Sequence, residues 1–201
     1  MGTLLGHVVP GTFFILFAIW WGFCLAVKHY RIKHSRKLLI YRSTTTFPCL
    51  CGLIRGQILV ESYLKLFCAL IGMIGEFLTG FAHSIDEISQ EKILTFGENN
   101  TQHMTMFFAF ALASIVEILV YKNYLLPTGI EFLANIFAYG IEGFLFHFHL
   151  HGRNPIDIHV HTLLVYAILF CLIAAIWEYN RPNQIYATYA RTAGTFLQGV
   201  W

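Results

Sequence analysis

Long apolar runs separated by short polar connections set the pattern of this chain. A bilayer core of about 30 Å is crossed by a helix of about 20 apolar residues. Five segments meet that length: residues 10–27, 64–83, 103–121, 130–151 and 155–179. The second has an amphipathic lead-in from Gln57. A sixth helix begins near Arg191 and stops at Trp201. The pattern predicts an all-α, multi-pass transmembrane helix bundle with five full spans and a partial sixth helix (191–201), in one domain over residues 1–201. The first run has no basic residues before it and contains Trp20-Trp21. It is therefore expected to be a retained span, not a cleaved signal peptide.

Composition agrees. The chain is 57% hydrophobic and 12% charged, where soluble domains carry about 25% charged residues. Its cysteines, Cys24, Cys49, Cys51, Cys68 and Cys171, are odd in number and form no disulfide framework. Cys49 and Cys51, spaced as CxC beside a span, are either ordinary small apolar residues or lipidation candidates.

The charges order the topology. Between spans one and two stand Lys28, Arg31, Lys33, Arg36, Lys37, Arg42 and Arg55 with no acid. The next connection holds Asp86, Glu87, Glu91, Lys92 and Glu98. Lys and Arg favour the cytoplasmic side of short loops. The first connection is therefore expected inside, the second outside, and the N-terminus outside. Asn99-Asn100-Thr101, a glycosylation sequon, falls in the outer connection. The expected location is the secretory pathway or the plasma membrane. Lys122–Thr128 and Asn180–Arg191 then lie inside, with Arg181 and Arg191 fitting that side. The basic first connection is a topology determinant or, alternatively, a contact for anionic lipid.

This topology gathers the histidines. His7, His83, His103, His147, His149, His151, His159 and His161 fall outside or at outer helix ends, and only His29 and His34 fall inside. The His-rich connection is a tight helical hairpin: Gly152 suits the position after a helix, Asn154 an N-cap, Pro155 the first helical position and Asp157 the first turn. His147 and His151 share a face at i,i+4, as do Asp157 and His161, while His149 points nearly opposite to His147.

Carboxylates inside apolar spans face a bundle interior or a cavity and find partners there. Glu76, Glu117 and Glu142 are such residues. Glu76 with His83, and Glu142 with His149, are seven apart and share helical stripes, about 10 Å apart along the axis. The candidate site is His83, His103, His149, His151, Asp157 and His161, with Glu76 and Glu142 beneath. Imidazoles and carboxylates together bind a transition metal such as zinc or iron; the same groups also relay protons, or simply hold the bundle through neutral hydrogen bonds. No HExxH, GxSxG or phosphate-binding glycine loop occurs, so a hydrolytic activity would rest on the metal alone. The basic loop lacks the fold context of a nucleic-acid binder.

Several pieces resemble the transmembrane protein 45 family, which includes the transmembrane epididymal proteins. They are Gly6-His7, Pro10-Gly11-Thr12-Phe13-Phe14, Glu76, Gln102-His103, Thr105-Met106 and Glu142-Gly143-Phe144-Leu145-Phe146. They continue with His149, His151, Arg153, Asp157, His159, His161 and Leu163-Leu164, then Arg191-Thr192, Leu197-Gln198-Gly199 and Trp201. His147 stands where the family tends to place an aromatic, and residues 43–55 also depart from its pattern. The resemblance implies a multi-pass protein of about seven helices without established catalytic activity. It also implies a continuation past Trp201 through helix six and a seventh helix bearing another histidine.

Physics points the same way. From Thr192 to Trp201 a helix rises about 15 Å, half the bilayer core. Its last carbonyls at that depth cost several kcal/mol each. A truncated product, short isoform or fragment is expected, with an open face for a homo- or hetero-oligomeric partner. Two functions are consistent with the sequence: a membrane protein with a metal or proton site near its outer face, or a non-catalytic scaffold or trafficking protein whose polar groups are structural.

Overall fold

A computed structural model describes residues 4–35, 39–47, 59–85, 92–148 and 155–200. The chain is helical: α1 (Leu4–His34), α2 (Val60–Thr79), α3 (Glu98–Tyr121), α4 (Ile130–Phe148), α5 (Pro155–Asn180) and α6 (Ile185–Val200). Two short antiparallel strands, β1 (Phe81–Ile85) and β2 (Lys92–Phe96), follow α2. Among the described residues four helices are long and apolar enough to cross a membrane: α1 from Val8, α2, α3 and α5. At 1.5 Å per residue α2 is about 30 Å long and α5 about 39 Å. The expected fourth span, α4, is not among them. Its 19 described residues carry Glu131, Asn135, Glu142 and His147, which dilute its apolar character.

The second expected span is corrected. Its helix ends at Thr79, and His83 lies in β1 opposite Leu94. A Cβ on Gly80 would stand 2.4 Å from the Phe96 ring, so glycine lets β2 close against the helix end. Phe96 also packs on Phe77 and Phe81, with centroids 6.2 and 5.1 Å away. The helical stripe expected to join Glu76 and His83 therefore does not exist. α3 starts five residues before the expected position, at Glu98, and α6 starts at Ile185. Arg191, expected to border a loop, is thus inside a helix.

Neighbouring helices alternate in direction. α2 packs on α3, α3 on α4, α4 on α5, α5 on α6 and α6 on α1. α1 and α2 touch little, and the seam between them is closed at one end by residues 41–47. Small residues permit close approach where lipid supplies no hydrophobic drive between helices. Ala109, Ala113 and Ala138 join α3 to α4, and Gly11 meets Gly199 where α1 crosses α6. A Cβ on Gly11 would lie 2.9 Å from Gly199 O, and one on Gly199 would lie 2.7 Å from Gly11 O. Large apolar side chains such as Leu16, Ile19, Phe67, Leu78 and Ile173 face outward, as lipid-facing surfaces do. The bundle has two distinct ends. The hairpin end bears β1, β2 and the start of α5. The basic end carries residues 41–47, the 122–129 turn and the 181–184 turn.

Candidate functional site

At the hairpin end, Glu76 in the last turn of α2 reaches across to α3. Its Oε1 lies 3.0 Å from His103 Nδ1, and its Oε2 accepts from Asn100 Nδ2 at 2.7 Å. Both side chains of the Glu76–His103 pair are largely enclosed, at 12% and 9% exposure. On α5, His161 Nδ1 lies 3.0 Å from Asp157 Oδ1 and 2.9 Å from Asp157 O. That pair realises the i,i+4 relationship expected from the spacing, and Pro155 opens α5 as expected. Phe146 of α4 stands between the two histidines, with ring centroids 6.4 Å from His103 and 6.3 Å from His161. Both imidazole–carboxylate pairs thus approach the same aromatic ring.

Glu142, one turn deeper on α4, is buried and accepts from Gln198 Nε2 at 3.2 Å. Gln198 Oε1 is buried with no hydrogen-bond partner among the described residues. Both side chains line a cavity of about 90 Å³ whose wall includes His103, Phe14 and Phe146. An isolated carboxylate in an apolar interior is stable only with a proton or a partner. A protonated Glu142 could donate to that unpartnered oxygen, as could a water in the cavity.

The basic end holds the larger polar network. Glu61 of α2 accepts from Trp20 Nε1 at 3.0 Å, Trp21 Nε1 at 2.8 Å and Phe47 N at 2.9 Å. Lys65 bridges Glu61 at 3.2 Å and Glu117 of α3 at 2.7 Å. Glu117 also accepts from Ser62 at 2.8 Å and Asn135 at 3.2 Å. Beside them Arg191 Nε pairs with Glu178 Oε2 at 2.6 Å, while its Nη2 donates to Thr44 O at 3.2 Å and its Cζ lies 4.6 Å from the centroid of the Trp21 ring. Thr188 donates to Glu178 at 2.5 Å and bonds Tyr41 OH at 2.6 Å. Burial pushes the Tyr41 hydroxyl above its ordinary range, so it stays neutral.

The structure thus brings Glu76 to His103 and Asp157 to His161, and sets Glu142 below them. It does not bring these five to one point, and His83 is on the β-hairpin. His149 and His151, together with Gly152 and Asn154, lie outside the described residues, as do Cys49 and Cys51. Among the described residues no group of three or more His, Cys, Asp or Glu could hold a metal ion. Asn99 is exposed in the first turn of α3. His147 is exposed beside Phe148.

Sequence reasoning missed Glu61, Lys65 and Glu178, and read Arg191 only as a topology marker. A signal was present for the first two: Glu61 and Lys65 are i,i+4 partners on the amphipathic start of α2. Glu178 and Arg191 lie on different helices, and no spacing rule joins them.

Residues 128–201, which contain α4, α5 and α6, match a family of unknown function (DUF716).

Proposed function

We propose that this chain is a multi-pass membrane protein of the transmembrane protein 45 group, with α4 as a further span and the hairpin end outside. Its hairpin end handles protons. What carries this reading is the pair of imidazole–carboxylate contacts, Glu76–His103 and Asp157–His161, each with a buried histidine against Phe146 above Glu142. Histidine is the side chain suited to exchanging protons near neutral pH, and a carboxylate beside Nδ1 orients its ring. An intramembrane carboxylate with a named partner marks a proton or ion site more often than a fold contact.

Infrared difference spectra across the histidine titration range test it. Carboxyl and imidazole bands should change together in the wild type. The coupled change should disappear in Glu76→Gln and His103→Gln variants that elute as the wild type does. Bands that stay constant in the wild type would refute proton handling at this end. Zinc or iron bound stoichiometrically, and lost in His103→Ala, would replace the proton reading with the metal one.

A second reading draws on the basic end. There Glu61, Glu117 and Glu178 are each bonded across helices, as a scaffold protein requires. On that reading Glu61→Ala lowers the yield of folded protein while His103→Ala and His161→Ala leave cellular phenotypes intact.

A further inference from the structure

A second pocket of about 80 Å³, partly open at the protein surface, lies nearer the basic end. Its wall includes Lys65, Glu117 and Asn135 of the basic-end network, together with Tyr139 and Thr195. It shares Pro10, Phe14, Phe107 and Phe110 with the cavity that reaches Glu142, Gln198 and His103. The two chambers therefore sit on opposite sides of one apolar constriction, with Phe14 and Phe110 in edge contact at 5.9 Å. Each is lined in part by polar groups and has room for water, which needs about 10–15 Å³ of such space per molecule and two or more polar partners.

Behind the constriction polar groups recur at each helical turn. On α4, Asn135, Tyr139 and Glu142 succeed one another at i, i+4 and i+7; on α6, Arg191, Thr195 and Gln198 do the same. Such residues stack along one face of a helix. They pair across the bundle as successive rungs: Asn135 with Glu117 at 3.2 Å, Tyr139 with Thr195 at 3.3 Å, and Glu142 with Gln198 at 3.2 Å. From Asn135 to Glu142 the climb is about 10 Å. Thr195 Oγ1 already donates to Arg191 O at 3.0 Å, so the Tyr139 hydroxyl is the donor in its rung.

We infer that the two chambers and the rungs between them form a proton-conducting path through the bundle, from the Lys65–Glu117 pair to Glu142 and the His103 chamber. This rests on the proposed reading of the hairpin end, which receives or supplies the proton. Each hydroxyl or water along the path takes a proton on its oxygen as it releases its own. A completed transfer reverses the direction of each hydrogen bond; once every hydroxyl and water has rotated back, all groups are in their starting state, and no co-reactant is needed. Gln198 carries no proton; it positions Glu142.

The test is proton flux into liposomes containing the purified 201-residue chain, with an internal pH-sensitive dye and a potassium ionophore holding the potential at zero. The wild type should acidify the lumen faster than protein-free liposomes. Tyr139→Phe combined with Thr195→Val, which removes the middle rung at nearly constant volume, should abolish that excess. Gln198→Leu should do the same. Phe14→Ala, which widens the constriction, should raise it. Tyr186→Phe, on the exposed face of α6, should leave it unchanged. Wild-type flux equal to that of protein-free liposomes overturns the path whatever the variants do. So does undiminished flux in a folded Tyr139→Phe/Thr195→Val protein. Coupled infrared changes at Glu76 and His103 without flux would reject the path and leave the hairpin-end site standing. Flux without those changes would reject the site.

Discussion

Arg191 and Glu178 form an ion pair with Nε 2.6 Å from Oε2, and each side chain is almost wholly buried. The pair ties α6 to α5, and Arg191 also reaches Thr44 O and the Trp21 ring. Arg suits this position because its planar fork bonds several acceptors and stacks on an aromatic ring together. Taking one partner away leaves a buried charge, which costs about 3–5 kcal/mol. Arg191→Met should therefore lower the unfolding midpoint in detergent sharply. The double variant Arg191→Met/Glu178→Leu should recover most of the loss. Equal losses in the single and double variants would show that the pair is not coupled.

Glu61 presents both carboxylate oxygens to donors only: two indole N–H groups, the Phe47 amide and Lys65. In Glu61→Gln the new NH₂ faces donors and leaves at least one of them buried without an acceptor, at a cost of about 1–3 kcal/mol. The midpoint should fall by that amount, and tryptophan emission should change as Trp20 and Trp21 lose their acceptor. An unaltered spectrum with an unaltered midpoint would contradict the geometry.

The crossing of α1 and α6 depends on Gly11 and Gly199. A methyl group on either would stand within 3 Å of the other's carbonyl oxygen, and overpacking of this kind costs about 1–3 kcal/mol. Gly199→Ala should destabilise the bundle, and Gly199→Leu should do so more. Gly140→Ala is the control, since nothing lies within 4 Å of a Cβ there. Thermal melts in detergent, compared across the three variants, decide this. A Gly199→Leu protein as stable as Gly140→Ala would remove the crossing from the account of stability.

The proposed orientation has its own test. Asn99 at the hairpin end and Tyr124 at the basic end are both exposed. In a background lacking Cys49 and Cys51, Asn99→Cys should react with an impermeant thiol reagent applied to intact cells. Tyr124→Cys should react only after permeabilisation. The reverse pattern would invert the topology. If glycosylation occurs at Asn99, glycosidase treatment should shift the wild type and not Asn99→Gln.

Local rules worked where they had only local work to do. The α5 start is one example: Pro155 opens the helix and Asp157 meets His161 one turn on, because both relations depend on neighbours along one helix. They failed at His83. Seven residues after Glu76 would be the same stripe if the helix continued, but α2 ends at Thr79 and the chain turns into a strand paired with residues far ahead of it. They also failed to give weight to Arg191, whose meaning comes from Glu178, Trp21 and Thr44 on other parts of the chain.

By itself the sequence determined that this is a helical protein with membrane-length apolar helices, where most of those helices lie, and that Glu76, Glu117 and Glu142 would need partners. These features come from composition and from the 3.6-residue period, which any stretch of chain carries within itself. Only the tertiary structure decided which partners the carboxylates take: His103 for Glu76, Gln198 for Glu142, Lys65 for Glu117. Those pairings join different helices, and helix order around the bundle is set by side-chain fit, such as Gly11 against Gly199, that no periodicity records. Of the candidate site expected from His83, His103, His149, His151, Asp157 and His161 with Glu76 and Glu142 beneath, the described residues form two imidazole–carboxylate pairs, Glu76–His103 and Asp157–His161, with Glu142 below them.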